Sequence, residues 1–155
     1  MDYSNQLTVK FNELRSGWLT FTVATAGQTF QGSFSVVYDP LIDLKHWLEA
    51  IAIGVQQASF TYDREGEYVN FNLESYCSNN DVITISEANN ERIIIKTETV
   101  RKQLVEQFYL GFVNFANSDF ARVKWIEEQE NGYEWTKVSE FYSYIIDNYL
   151  ELNSM

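Results

Sequence analysis

Asp39-Pro40-Leu41-Ile42-Asp43-Leu44-Lys45-His46-Trp47-Leu48-Glu49-Ala50-Ile51 runs on through Gln57. It is followed by Phe60-Thr61-Tyr62-Asp63-Arg64-Glu65-Gly66 and then Val69-Asn70-Phe71-Asn72-Leu73-Glu74. The apolar period changes inside this stretch. Leu41, Leu44, Leu48, Ile51 and Val55 recur at helical spacing and predict a helix over Leu41 to Gln57. Asp39 has the carboxylate of an N-cap, and Pro40, the only proline, suits a first helical position, where its missing N–H costs nothing. After Gln57 the period is two. Phe60 and Tyr62 share one strand face, and Val69, Phe71 and Leu73 share a face of the next strand. Gly66 suits the left-handed position of the intervening turn.

The helix carries a second apolar stripe, Ile42, His46, Ala50 and Ile53, nearly opposite the first. A surface helix ordinarily has one apolar side. Two readings follow: the C-terminal helices cover this stripe within the monomer, or it is an exposed patch for a homodimer or another partner.

Working outward, Leu7, Val9 and Phe11, then Leu19, Phe21 and Val23, then Phe30, Phe34 and Val36 alternate with polar residues. Ser16-Gly17 and Ala26-Gly27 separate these runs. The pattern is a three-stranded meander with one polar, Ser/Thr-rich face. Ser78-Asn79-Asn80-Asp81 reads as a turn, and Val82–Ser86 with Arg92–Lys96 as a second hairpin around Asn89-Asn90. Ile93-Ile94-Ile95 is apolar on both sides, the mark of a covered central strand.

The period then becomes helical. Leu104, Val105, Phe108, Phe112 and Phe115 form one stripe, and Asn117-Ser118-Asp119 ends or bends that helix. Glu127-Glu128-Gln129-Glu130-Asn131-Gly132 reads as an acidic loop. One last helix follows through Val138, Phe141, Tyr142, Ile145, Ile146, Tyr149 and Leu150, with Thr136 as its cap. The expected fold is a single α+β domain over residues 1–155, in the order βββαββββαα. Three helices pack on a curled antiparallel sheet of about seven strands.

Composition narrows the function classes. The chain has 155 residues, 45% of them hydrophobic and 16% aromatic, enough to build a core. A net charge of −11 opposes binding to phosphate backbones, so nucleic acid is not an expected partner. From Trp125 onward seven acidic residues stand against Lys137 alone, either as a solvated face or as a docking surface for a basic partner. No apolar run is long enough for a membrane span, and Met1–Asn5 lacks the features of a signal peptide. The lone Cys77 fits a reducing cytoplasm and reads as a packing residue.

No catalytic, cofactor or metal set emerges. His46 is the only histidine and sits mid-helix without a nucleophile beside it in sequence, so it reads as structural. One histidine and one cysteine do not make a zinc site. Asp63, Glu65 and Glu67 suggest a metal loop or a glycosidase pair, but Arg64 interrupts them and the twelve-residue calcium pattern is missing, so the segment reads as a solvated turn. Gly27 and Gly32 are turn and strand residues rather than a phosphate loop. Trp18, Tyr68, Asn70 and Asn72 on the polar face could form a sugar or peptide platform.

The helix from Asp39 to Ile51 with Phe60-Thr61-Tyr62-Asp63-Arg64-Glu65-Gly66 after it resembles an arrangement in small acidic bacterial immunity-like proteins of polymorphic and contact-dependent toxin systems. The resemblance implies a cytoplasmic, non-catalytic protein that neutralises a basic toxin by binding it, and it transfers no catalytic residue. Such binding would use Trp125, Glu127, Glu128, Glu130, Tyr133, Glu134 and Trp135, aromatic anchors beside a charged rim. Two alternatives stand beside it: a small-ligand binder or enzyme with a pocket between sheet and helices, and a homodimeric structural protein.

Overall fold

The computed structural model describes residues 6–77 and 80–152, the side chains of 77, 80 and 152 excepted. Met1–Asn5, the Ser78-Asn79 pair and the role expected for the Cys77 side chain lie outside the described residues. The class is α+β. Strands β1 (Thr8–Arg15), β2 (Trp18–Thr25) and β3 (Gln28–Ser35) form an antiparallel sheet in sequence order. A 3-10 turn over Val36–Tyr38 leads into α1 (Leu41–Ala52). Strands β4 (Gln57–Asp63), β5 (Tyr68–Cys77), β6 (Asn80–Glu87) and β7 (Arg92–Thr99) form a second antiparallel sheet, again in sequence order. Helices α2 (Arg101–Ala116), α3 (Asp119–Glu130), α4 (Val138–Phe141) and α5 (Tyr144–Leu152) follow.

The seven expected strands are present, paired as three and four with α1 inserted between the two ladders. The alternating residues build one core between the sheets and helices. Phe30 of the first sheet meets Phe71 of the second edge-on at 6.0 Å, and Phe71 lies 5.6 Å from Phe108 of α2 and 5.9 Å from Trp47 of α1. Phe11 of β1 meets Phe112 of α2 at 5.4 Å. Phe21 is fully buried and covers Gly32, where a Cβ would stand 2.2 Å from the ring.

Sheet edges are met by side chains. Gln107 of α2 accepts the Val9 N–H of β1 at 3.0 Å. Trp47 donates its indole N–H to the Ala58 carbonyl of β4 at 2.9 Å. Gln28 of β3 accepts the Lys96 N–H of β7 at 3.3 Å. Each contact occupies a strand group that would otherwise invite another chain.

The expected helix boundaries shift. Asp39 does accept a first-turn amide, Leu41 N–H at 3.0 Å, but Pro40 precedes the first helical turn instead of occupying it. Helix α1 stops at Ala52 rather than Gln57. Gly54, at φ 98°, places its own N–H on Ile51 O and the Val55 N–H on Ala50 O, a Schellman ending. Val55 thus lies beyond the helix. The second stripe of α1 is only half covered: Ile42 and Ala50 are half-buried, while His46 and Ile53 are exposed. The C-terminal helices lie instead along Lys45 and Glu49, through Lys45 Nζ to Glu140 O at 3.0 Å and Ser143 Oγ to Glu49 Oε2 at 2.6 Å.

Three further expectations are corrected. Strand β7 is an edge, not a central strand; Ile95 is buried, but Ile93 is 56% exposed. The acidic "loop" at Glu127–Glu130 is the last turn of α3. Ser118 caps that helix by accepting Ala121 N–H, and Gly132 at φ 87° closes it in a second Schellman motif, with Tyr133 N–H on Glu128 O at 2.9 Å. The last helix is two. Tyr142 is extended, and Ser143 restarts the helix by accepting Ile146 N–H at 3.1 Å, so Thr136 caps neither piece. Ser143 N–H donates to Tyr109 OH at 3.0 Å and Tyr109 OH donates to Asp147 at 2.9 Å, which fixes the break against α2.

Among the described residues Tyr62 is the exception to a satisfied core. Its ring packs on Phe34, Phe60 and Phe71, and its buried hydroxyl has no hydrogen-bond partner among the described residues. Burial raises its pKa above the ordinary tyrosine value, with Arg64 a smaller opposing influence. Tyr109 is pushed up to about 12, burial again being the largest cause. The unfolded chain releases these protons near pH ~10 while the folded chain retains them, so stability is lost as pH rises past that point. Tyr62→Phe is expected to leave stability at neutral pH unchanged or raise it by about 1 kcal/mol, and to make the alkaline loss shallower. Urea midpoints at neutral pH and above pH ~10 check both; a clearly destabilised variant would show that the hydroxyl has a partner.

Candidate functional site

Helix α3 buries one side and turns large apolar side chains outward on the other. At about 100° per residue, Ala121, Trp125 and Glu128 share the side turned toward the protein. Ala121 and Glu128 are buried and Trp125 is half-buried. On the opposite side lie Phe120, Val123 and Ile126, exposed by 56%, 56% and 59%. Asp119, Glu127 and Glu130 fall between and beside them and are exposed too. The outward face of α3 is therefore apolar with interleaved carboxylates. Lys124 borders it, paired with Glu127 at 3.2 Å and resting 5.8 Å from the Phe120 ring centre.

A cleft of about 450 Å³ opens beside the C-terminal end of α3, lined by Asp39, Trp125, Gln129, Tyr133, Glu134, Trp135, Thr136, Lys137 and Glu140. The segment after Gly132 forms one wall and the entry to α1 the other. Asp39 joins them, since its second carboxylate oxygen accepts Thr136 N–H at 2.5 Å. The ring of Trp125 is held between Phe112 at 6.1 Å and Trp135 at 6.2 Å. Tyr133 lies on Gly17, where a Cβ would stand 2.9 Å from its ring. Only glycine fits there, and its φ of 82° after Ser16 at φ 50° forms the tight β1–β2 turn.

The residues expected to bind a partner are thus brought together, but in different roles. Glu127, Glu130 and Glu134 are exposed; Trp125 and Tyr133 are half-buried in the cleft wall; Trp135 is 7% exposed and belongs to the core. Glu128 is buried and is no rim charge. Its Oε1 accepts Gly17 N–H at 2.6 Å and the Trp135 indole N–H at 3.3 Å, tying the β1–β2 turn to α3 and to the cleft wall. Phe120, Val123 and Ile126 were not legible as site residues. They fall in the segment with the weakest periodicity, because their face is not a core face.

Other candidates are dispersed or occupied. His46 lines a groove of about 460 Å³ between α1 and β4 with Asp43 and Ala50. A further cleft, of about 620 Å³, contains Asp81 and Arg101, but these form a bidentate pair at 3.1 Å and Arg101 also holds Ile51 O. Trp18 stands in the first sheet and Tyr68, Asn70 and Asn72 in the second, and the two amide carbonyls accept from Thr61 and Ser59. Asp63 caps the hairpin by accepting Gly66 N–H at 2.7 Å, and Arg64 pairs with Glu67 at 2.8 Å. Gly66 has φ 112°. No group of three His, Cys, Asp or Glu side chains among the described residues could hold a metal ion, and none of the described helices is long and apolar enough to cross a membrane.

The carboxylates should therefore separate on mutation. Glu128→Ala is expected to cost about 2–3 kcal/mol, because it strands two buried donors bonded to a charged acceptor. Glu127→Gln and Glu130→Gln should each stay within about 0.5 kcal/mol of the parent. Denaturant midpoints distinguish them; three equal values would remove the structural role given to Glu128. No family model matches this chain, no curated protein matches it, and no solved structure matches it.

Proposed function

We propose that the chain is a non-catalytic binding protein of the immunity type, which neutralises a basic toxin domain by covering it with the outward face of α3. The observation that carries this reading is that face itself. Phe120, Val123 and Ile126 are each more than half exposed on one side of a well-formed helix, with Asp119, Glu127 and Glu130 interleaved. Apolar anchors within a charged rim combine the two things a protein interface needs: area to bury and a field that selects and steers the partner. The net charge of −11 extends that field over the molecule. A cytoplasmic setting in a bacterial host belongs to the same reading. The half-covered stripe of α1 is a weaker docking face for a homodimer, because of Ile42, His46, Ala50 and Ile53 only Ile53, at 68%, presents a large exposed apolar side chain. A small-ligand protein or enzyme would have to use one of the open clefts described above.

The test compares the parent with Phe120→Ser/Val123→Ser/Ile126→Ser. The triple variant should fold with a nearly unchanged thermal midpoint, since exposed substitutions usually move stability by less than about 0.5 kcal/mol. Co-expressed with the candidate toxin from the neighbouring gene of its native host, the parent should restore growth and the variant should not. Purified, the pair should associate more slowly as salt rises. Equal protection by parent and variant, or association indifferent to salt, would remove the α3 face from the interface.

A further inference from the structure

We infer that the cleft beside α3 is a specificity pocket for an arginine side chain of the partner, an inference that rests on the protein-binding reading above and names the chemistry of its anchor. The cleft has aromatic walls, Trp125 and Tyr133, that are half-buried and held in place by Phe112, Trp135 and Gly17. A planar guanidinium stacks on such rings, and rings fixed before binding lose little freedom when it arrives. The cleft also carries three carboxylates. Asp39 is fixed by Leu41 N–H and Thr136 N–H, while Glu134 and Glu140 are exposed and form no ion pair among the described residues.

Two cations are close. Lys45 directs its ammonium to the Glu140 main-chain oxygen at 3.0 Å, and Lys137 stands exposed on the lining. Neither is ion-paired with these carboxylates among the described residues, so the acidic groups remain open to a guest. Arginine suits the site better than lysine because its flat fork can stack and pair with carboxylates at once, whereas an ammonium is a hydrated point charge. Basic residues of this kind are frequent interface anchors. Gln129 of α3 lines the cleft and directly precedes Glu130 of the outward face, so one partner surface could fill both.

The experiment needs no partner. Acetyl-Gly-Arg-Gly-amide is titrated into the full chain while the four tryptophan indole N–H signals are followed by NMR. Saturable shifts are expected at Trp125 and Trp135 and not at Trp18 or Trp47, with a dissociation constant on the order of millimolar. The citrulline peptide, which keeps the shape and loses the charge, should bind at least five-fold more weakly, as should the lysine peptide. Glu134→Gln/Glu140→Gln should weaken the arginine peptide several-fold, and Lys137→Ala should tighten it. Shifts that fail to saturate, or equal binding of arginine and citrulline peptides, would overturn the pocket; equal binding of lysine would overturn its assignment to a guanidinium. The Phe120, Val123 and Ile126 serine variant should bind the arginine peptide like the parent. A failed pocket with α3-dependent protection intact therefore rejects this inference alone, and an intact pocket with no α3-dependent protection rejects only the function proposed for the face.

Discussion

The ring of Phe71 is where both sheets and helices α1 and α2 meet. It contacts Phe21 and Phe30 from the first sheet, Phe60 and Tyr62 from its own, Trp47 of α1 and Phe108 of α2. Large rings bury much area per residue and interlock edge to face, so a few of them can set the distance between layers. Among the described residues the two ladders share no backbone pairing, and the relation between them depends on these rings and on Gly32, whose missing side chain gives Phe21 its space. The side chains at the edges then close what the rings bring together: Gln107, Trp47 and Gln28 each satisfy a strand group that the core leaves outside a ladder.

That dependence explains which parts were legible in the sequence. Strands with one buried face announce themselves by alternation, so β1 to β6 were readable from residues such as Phe21, Val23, Phe71 and Leu73. The first helix is readable from the Leu41, Leu44, Leu48, Ile51 stripe, although apolar spacing continues to Val55 and so hides the ending at Gly54. The Ile93-Ile94-Ile95 run misled for a physical reason. A run apolar on both sides signals burial on both faces, yet β7 is an edge strand that lies beside β3 and leaves Ile93 in solvent. Helix α3 escaped because periodicity detects helices that bury a stripe, and this one buries mainly Ala121 and Glu128. Its ends were nevertheless written in Ser118 and Gly132. The break at Ser143 was hidden inside continuous three-and-four spacing, since α4 and α5 both present apolar residues, Phe141 and Ile146, to the same core.

The acidic excess of the C-terminal part looks uniform in the sequence and divides in the structure. Glu128 is used within the fold, where a carboxylate bridging a turn amide and an indole N–H locks three segments together. Asp147 likewise takes a hydrogen bond from Tyr109 of α2. Glu127, Glu130 and Glu134 remain in solvent. A burial distinction of this kind cannot be read from charge density, because it depends on which residue of a helical turn faces inward.

The outward face of α3 is where local stability and solubility pull apart. Three large apolar side chains in water contribute nothing to the core and favour association between molecules. The carboxylates interleaved with them and the overall negative charge oppose contact between identical copies, since two such faces brought together would oppose acid to acid. The same arrangement favours contact with a surface of opposite charge, where the repulsive term changes sign and the apolar area is buried. In the complex proposed above, such a face would draw its selectivity from the charges and its area from Phe120, Val123 and Ile126. The rigid support beneath it follows from Glu128 and the rings of Trp125 and Trp135, which hold the inner side of α3 to the β1–β2 turn and leave the outer side free.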